Sequence, residues 1–226
     1  LPTMEGWATS HPEAAFDRLV ALDVNRHMSV AWFVAQAGRI EEAAAIADRY
    51  RHELSDAELG PLVIANLGHA EFGAAIARAS SGDPAGAHTA FEASRRAYRA
   101  IDHHACMAFS LLTELLDVAI PYHADDPVVR HRLATEAERE LELARGALPT
   151  DVTPELARLA TLALDGGWQE ALAIAARVDR FGTYVIRRQV TAAIPPIARH
   201  TSQPDGAWEH IRRILPDGPS AEPGSA

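Results

Sequence analysis

Apolar residues return at every third or fourth position over most of this chain, which is the spacing of an amphipathic helix. Between 84 and 101, one helical face collects Ala87, Ala90, Phe91, Ser94, Ala97 and Tyr98. Between 104 and 121, another face collects Phe109, Leu112, Leu116 and Ile120. Signals for strands are nearly missing, because no tight glycine turn separates two alternating runs. The pattern therefore predicts an all-α fold.

Capping residues followed by proline mark several helix starts, at Asp83-Pro84, Asp126-Pro127 and Thr153-Pro154. With these marks we predict eleven helices. They comprise a lead helix over 12–24 and five hairpins, 28–37 with 41–54, 60–80 with 84–101, 104–121 with 127–146, 154–165 with 169–179, and 183–199 with 204–214. Residues 1–215 are thus predicted to form a single helical repeat domain, and 216–226 a flexible linker or tail.

A glycine followed five residues later by alanine recurs at a period of about 42 residues, the kind of repeat expected of stacked helical hairpins. The copies are Gly38 with Ala43, Gly82 with Ala87, and Gly166 with Ala171. Degenerate copies fall at 125–127 and 203–206. The glycine suits a left-handed turn, and the alanine suits close contact between the two helices of a hairpin. We therefore expect a right-handed superhelix, or solenoid, of about five antiparallel hairpins.

The segment from Ala75 to Ser94 resembles the second half of a tetratricopeptide repeat, with Ala75, Gly82, Ala87, Phe91 and Ser94 at matching positions. The Trp and Tyr of that family's first helix are missing here, and the period is longer. The runs 32–43 and 163–171 are more similar to the degenerate repeats in the effector-sensing arm of large ATP-binding LuxR-type transcriptional activators. The resemblance spans 28–214. It implies a non-enzymatic sensor or coupling module within a bacterial transcription regulator.

Composition and net charge restrict the classes of partner and of chemical site that this chain can have. The net charge of −10 argues against a nucleic-acid contact through this segment. No run of 18 apolar residues occurs, so we expect no membrane span. All 21 basic residues are arginine, which excludes a Walker A loop and a Schiff-base lysine. Cys106 is the single cysteine, so no internal disulfide forms, and a cytoplasmic location is expected. The first residue and the linker-like end are typical of a piece of a longer protein.

The concave face of such a stack is the expected binding surface for a peptide, a protein partner or a small-molecule effector. First-helix residues at fixed offsets before each bend are the candidates for this groove, and Trp32 and Phe72 are the preferred two. The full set is Asn25, Met28, Trp32, His69, Phe72, Ile76, Leu112, Leu115 and Tyr122. Each of these apolar residues also has an alternative role in the core between repeats.

Two groups of side chains raise the question of a metal. The first is His103, His104 and Cys106, and the second is His123 and His131 on either side of Asp125-Asp126. Adjacent helical residues diverge around the axis, and Asp126 before proline is a good helix cap. We therefore predict no metal, no cofactor and no catalytic residue.

Three functions remain as hypotheses from the sequence. The first is the regulator module, the second a stand-alone protein-binding scaffold, and the third an all-α metal-dependent enzyme. An apolar end over 183–199 further predicts a homodimer through exposed terminal helices.

Overall fold

Helices make up the described part of the chain, which contains no strand. The computed structural model describes residues 61–144 and 153–177, together with the isolated positions 34, 39, 41, 42, 44–46, 48, 197, 199, 200, 202 and 206. The all-α prediction is confirmed for these residues. Apart from the isolated positions, the predicted lead helix, the first and last hairpins and the tail lie outside the described residues.

Six helices follow one another in the two described stretches. They are α1 Pro61–Ser80, α2 Pro84–Arg99, α3 His104–Tyr122, α4 Pro127–Ala144, α5 Thr153–Leu164 and α6 Trp168–Arg177. Their bounds lie within two residues of the predicted ones wherever the adjoining residues are described. Helices α1 and α2 pack together as hairpin 1, α3 and α4 as hairpin 2, and α5 and α6 as hairpin 3. The connections of three or four residues require the two helices of each hairpin to be antiparallel.

Side-chain caps fix where the second helices of hairpins 1 and 2 begin. The carboxylate of Asp83 accepts a hydrogen bond from the Gly86 N–H at 2.8 Å. The carboxylate of Asp126 accepts from Val128 at 3.0 Å and from Val129 at 3.2 Å. These bonds satisfy backbone donors that have no partner within the helix. The cap predicted at each aspartate is confirmed.

The predicted glycine turn occurs in hairpins 1 and 3. Gly82 has φ +83° and Gly166 has φ +81°, the left-handed conformation that ends a helix without a Cβ clash. Ala87 and Ala171, five residues on, are completely buried between the helices of their hairpins. The glycine followed five residues later by alanine therefore corresponds to the same local geometry in hairpins 1 and 3.

We predict that Gly82→Ala destabilises the chain by about 1–2 kcal/mol, the cost of placing a Cβ in the left-handed region. No atom lies within 4 Å of the added methyl group, so backbone strain is the whole effect. Urea unfolding followed by circular dichroism measures it. Gly82→Asn is the matched control and should cost less, because asparagine tolerates this conformation. Equal stabilities of the alanine variant and the wild type would contradict the interpretation.

The buried apolar side chains form two cores. The first core is centred on hairpin 1 and includes Phe72, Ile76, Ala87 and Phe91. Val118 from α3 and Val34 also belong to it. The second core joins hairpins 2 and 3, and its members include Leu112, Leu116, Leu133, Ala160 and Trp168. Every residue of the predicted apolar face of α2 is buried. Helix periodicity in the sequence thus identified the packing surface of this helix correctly.

Helix α3 changes geometry near its end. It is α-helical over His104–Glu114, π-helical over Leu115–Ala119, and α-helical again over Ile120–Tyr122. Pro121 explains the position of the wider turn, because proline has no N–H and its ring presses on the carbonyl four residues earlier. That carbonyl belongs to Asp117, inside the π segment. The sequence predicted this helix but not its π segment.

Among the described residues, one helix is long and apolar enough to cross a membrane by length and composition. It is α3, His104–Tyr122, with a mean hydropathy of 1.4. Most of this helix is buried inside the protein. Helix α3 therefore owes its apolar composition to its place between the neighbouring helices.

Candidate binding pocket

The predicted groove residues have separate locations. Asn25, Met28 and Trp32 lie outside the described residues. Phe72, Ile76, Leu112 and Leu115 are buried in the helix packing, so in the described structure they hold the hairpins together, and Leu112 also lines the pocket described next. This burial is what the alternative role of these apolar residues, packing in the core between repeats, requires.

The other two groove candidates, His69 and Tyr122, lie at the edges of the packing. The ring of His69 is partly buried and packs edge-on against Tyr98, with centroids 5.6 Å apart. Tyr122 is 41% exposed, and its hydroxyl donates to the carbonyl of Ala79 at 3.0 Å. Tyr122 is therefore the one candidate among the described residues that presents a large apolar surface to solvent.

A pocket of about 430 Å³ opens between hairpins 2 and 3. One wall is α4 and the other is α5, which touch each other sparsely and leave a gap between their facing sides. The α4 residues in the wall are His131, Ala134, Glu138 and Leu141, at the three- and four-residue spacing of one helical face. The remaining lining residues are Leu112, Pro154, Glu155, Ala157, Arg158, Thr161, Leu162, Asp165 and Ile174.

The chemistry of the pocket is divided between an apolar interior and a charged edge. Leu112, Ala157 and Ile174 are buried members of the second core, so the interior of the pocket is continuous with that core. Pockets for small ligands are mostly apolar, with a few polar groups that orient the ligand, and range from about 300 to 1,000 Å³. This pocket matches that description in size and in composition.

Asp165 lines the pocket, and its carboxylate is held by Arg130 and His131. Arg130 donates to Oδ1 from 2.5 Å, and Nε2 of His131 lies 2.6 Å from Oδ2. Burial raises the pKa of the Asp165 carboxyl, but the hydrogen bonds from His131 and Arg130 outweigh it, so this pKa lies below its usual range. Arg130 also donates to the carbonyl of Ala124 and so ties α4 to the preceding turn.

Three further charged side chains line the pocket: Glu138 on α4, and Glu155 and Arg158 on α5. All three are exposed. Within the part of the chain that the structure describes, their side chains make no hydrogen bond or ion pair. Unlike Asp165, they are therefore available to a ligand.

A second ionic cluster lies at the contact between hairpins 1 and 2. Glu114 on α3 is 2% exposed, accepts a short ion-pair hydrogen bond from Arg95, and lies 2.6 Å from Nδ1 of His88. Arg95 and His88 both belong to α2. Because both oxygens of the carboxylate are engaged, this cluster fixes the position of α2 against α3 and leaves no open position for a ligand.

A third cluster has the same composition and joins α3 to α4. Nδ1 of His104 lies 2.8 Å from one oxygen of Glu140, and Arg139 donates to the other at 2.7 Å. Burial raises the pKa of the Glu140 carboxyl, but the hydrogen bonds from Arg139 and His104 outweigh it and leave the pKa below its usual range. A carboxylate between one histidine and one arginine thus occurs at three successive helix contacts.

These contacts occupy several side chains that the sequence offered as metal ligands. His104 binds Glu140, His131 binds Asp165, and Asp126 caps α4. His103 caps α3, with Nδ1 accepting from the Cys106 N–H at 3.4 Å. Among the described residues, no group of three or more His, Cys, Asp or Glu side chains is arranged to hold a metal ion.

We predict that the free energy of unfolding falls as the pH drops through the folded-state pKa values of Glu140 and Asp165. These pKa values lie below the usual carboxyl value of about 4. Both groups are more acidic in the folded chain, so the unfolded chain binds more protons in this window and acid favours unfolding. Above the unfolded-state pKa values their contribution is complete. Urea unfolding at a series of pH values measures the slope. Glu140→Gln with Asp165→Asn should flatten it, whereas Glu142→Gln, an exposed control, should not. A slope unchanged by the double variant would refute this assignment.

Comparison of the chain with protein-family models, with curated proteins and with solved structures gave no match in any of the three. The functional assignment therefore depends on the helix arrangement and the pocket.

Proposed function

We propose that this chain is a non-enzymatic helical-repeat module that binds an effector, built as a right-handed, tetratricopeptide-like superhelix. The observation that carries the proposal is the recurrence of one hairpin unit, with a left-handed glycine and a buried alanine five residues later, at Gly82-Ala87 and Gly166-Ala171. Repetition of a unit that cannot bury its apolar face alone is the basis of helical solenoids.

The order of contacts between the hairpins supports the same arrangement. Hairpin 1 touches hairpin 2 mainly through α2 and α3, and hairpin 2 touches hairpin 3 through α3 and α4 against α5. Among the described helices, hairpins 1 and 3 share at most sporadic contacts. Contacts restricted to neighbours are typical of a stack.

The pocket between hairpins 2 and 3 is the proposed effector site. It lies where two repeat units meet, so a ligand there contacts both and favours one relative position of the two. Such a ligand would couple the pocket to the rest of the stack. This is the behaviour expected of the sensor arm of a LuxR-type regulator, the context that we propose for the module in a bacterial cytoplasm.

Thermal unfolding against a panel of small metabolites tests the binding proposal. A ligand present at 100 times its dissociation constant stabilises the folded state by about 2.7 kcal/mol, which raises the melting temperature by several degrees. Ala134→Phe, which places a ring in the pocket, should abolish the shift. Thr135→Phe adds the same ring at an exposed position of α4 outside the pocket and should preserve it. A shift that survives Ala134→Phe would place the ligand elsewhere and contradict the proposed site.

A second candidate function is a scaffold that binds a protein segment without any small molecule. Tyr122 and Val128, at 41% and 74% exposure, are large apolar side chains on either side of the turn between α3 and α4. Contiguous exposed apolar surface marks protein contacts, and these two side chains are the candidates for such a patch at this turn. A peptide partner whose binding is lost in Tyr122→Ser but retained in Ala134→Phe would favour this function over the pocket.

A further inference from the structure

We infer that the pocket between hairpins 2 and 3 selects a small organic cation joined to an apolar body, such as an aryl-alkyl ammonium. The inference rests on the proposal that this pocket is a binding site, and it adds the chemical class of the ligand. Its starting point is a cavity of about 430 Å³ that combines an apolar interior with two carboxylates on opposite walls.

The apolar interior determines the body of the ligand. Leu112, Ala157 and Ile174 are buried side chains that line the cavity and belong to the second core. They offer no hydrogen-bonding side chain. A hydrocarbon or aromatic group that enters here is removed from water against carbon surface, which is favourable in proportion to the apolar area buried.

The charged side chains that line the pocket determine which sign of charge the ligand should carry. Asp165 already has Arg130 and His131 as partners, and the arginine offsets its charge. Glu138 and Glu155 project from the two facing helices and have no ionic partner within the described structure, and Arg158 is the single opposing charge in this unpaired set. The two carboxylates therefore leave a negative excess that a ligand cation would neutralise.

The charge of the whole chain acts in the same direction. Its net charge of −10 raises the local concentration of cations and lowers that of anions. Binding through Arg158 would require an anion to approach against this field and to lie beside two carboxylates. An organic anion is therefore the disfavoured ligand, and a cation the favoured one.

The size of the pocket favours a free small molecule over a segment of a protein. The volume lies within the range of small-ligand pockets, and the lining comes from α3 to α6 around one cavity. We therefore assign the cation to a small-molecule effector and treat a peptide as an outcome that the experiment distinguishes.

Titration of the full chain with three matched compounds, followed by ¹H–¹⁵N NMR spectra, tests the inference. They are 4-phenylbutylamine, 4-phenylbutan-1-ol and 4-phenylbutyrate, which share an apolar body and differ in charge. The amine should bind best and shift amides of α4 and α5, and added salt should weaken it. A fourth titration uses a short peptide that carries an arginine between leucines.

Matched variants identify the carboxylates. Glu138→Gln with Glu155→Gln should weaken amine binding by about three- to tenfold, as expected for two exposed charge contacts. Glu142→Gln with Glu170→Gln removes the same charge from exposed positions outside the pocket and should change it little. The alcohol should bind equally to all variants, which also shows that the fold is intact.

The outcomes separate this inference from the proposed function. Equal binding of all three compounds, or preference for phenylbutyrate, overturns the cation assignment but leaves a pocket that binds ligands. Binding of the peptide alone also overturns the small-molecule assignment. If no compound perturbs α4 and α5 at millimolar concentration, the inference fails, and the metabolite panel with Ala134→Phe decides the proposed function independently.

Discussion

Replacement of Glu114 with alanine is expected to lower the free energy of unfolding by about 3–5 kcal/mol, the usual cost of breaking a buried ion pair from one side. The variant leaves the guanidinium of Arg95, a residue that is 8% exposed, without its carboxylate at the contact between hairpins 1 and 2. Urea unfolding measures the loss. Glu92→Ala is the control on the same cluster, because Glu92 is half exposed and 3.7 Å from His88, and it should cost less than about 0.5 kcal/mol.

A double variant separates the ion pair from the packing around it. Arg95→Met with Glu114→Leu removes both charges and keeps side chains of similar volume, so much of the lost stability should return. If Glu114→Ala cost no more than Glu92→Ala, the Glu114 cluster would not be holding α2 against α3, and our account of this contact would be wrong.

Replacement of Phe91 with alanine is also expected to lower the free energy of unfolding by about 3–5 kcal/mol. It removes a fully buried ring and leaves a cavity in hairpin 1. The ring packs against Phe72 with centroids 5.8 Å apart. Thermal or urea unfolding measures the change. Phe109→Ala is the comparison, since Phe109 also contacts Phe72 but is only partly buried, and it should cost clearly less. Similar losses in the two variants would show that burial does not control stability here.

The helices and their packing faces could be predicted because they depend on local chemistry. Asp83 and Asp126 cap helices through backbone groups two or three residues away, and Gly82 adopts a conformation that glycine reaches most easily. Phe91 and Tyr98 fall on the buried face of α2 because a helix places residues at this spacing on one side. Each of these signals lies within one or two turns of the residue that it explains.

The contacts between hairpins could not be predicted in this way. Arg95 and Glu114 meet across two helices, and nothing in either local sequence identifies the other residue as its partner. Gly68 shows the same limit: a Cβ there would lie 2.6 Å from the ring of Tyr98, so this glycine permits α1 and α2 to approach closely. Only the folded arrangement shows why that position is glycine.

The pocket also depends on tertiary structure, since its two walls come from helices in different hairpins. His131, Glu138 and Leu141 share one face of α4, which the sequence shows, but that face reads as an ordinary solvent-exposed surface until α5 is placed opposite it. The groove was predicted from the positions of residues on the first helix of each hairpin, and four of the apolar ones are buried in the structure.

Small-angle X-ray scattering of the full chain tests the repeat arrangement most directly. A compact globule of 226 residues has a radius of gyration of about 17 Å. A stack of hairpins predicts a clearly larger radius and an asymmetric pair-distance distribution with a long tail. A symmetric distribution with a radius near that of the globule would contradict the superhelix and remove the basis for the proposed module.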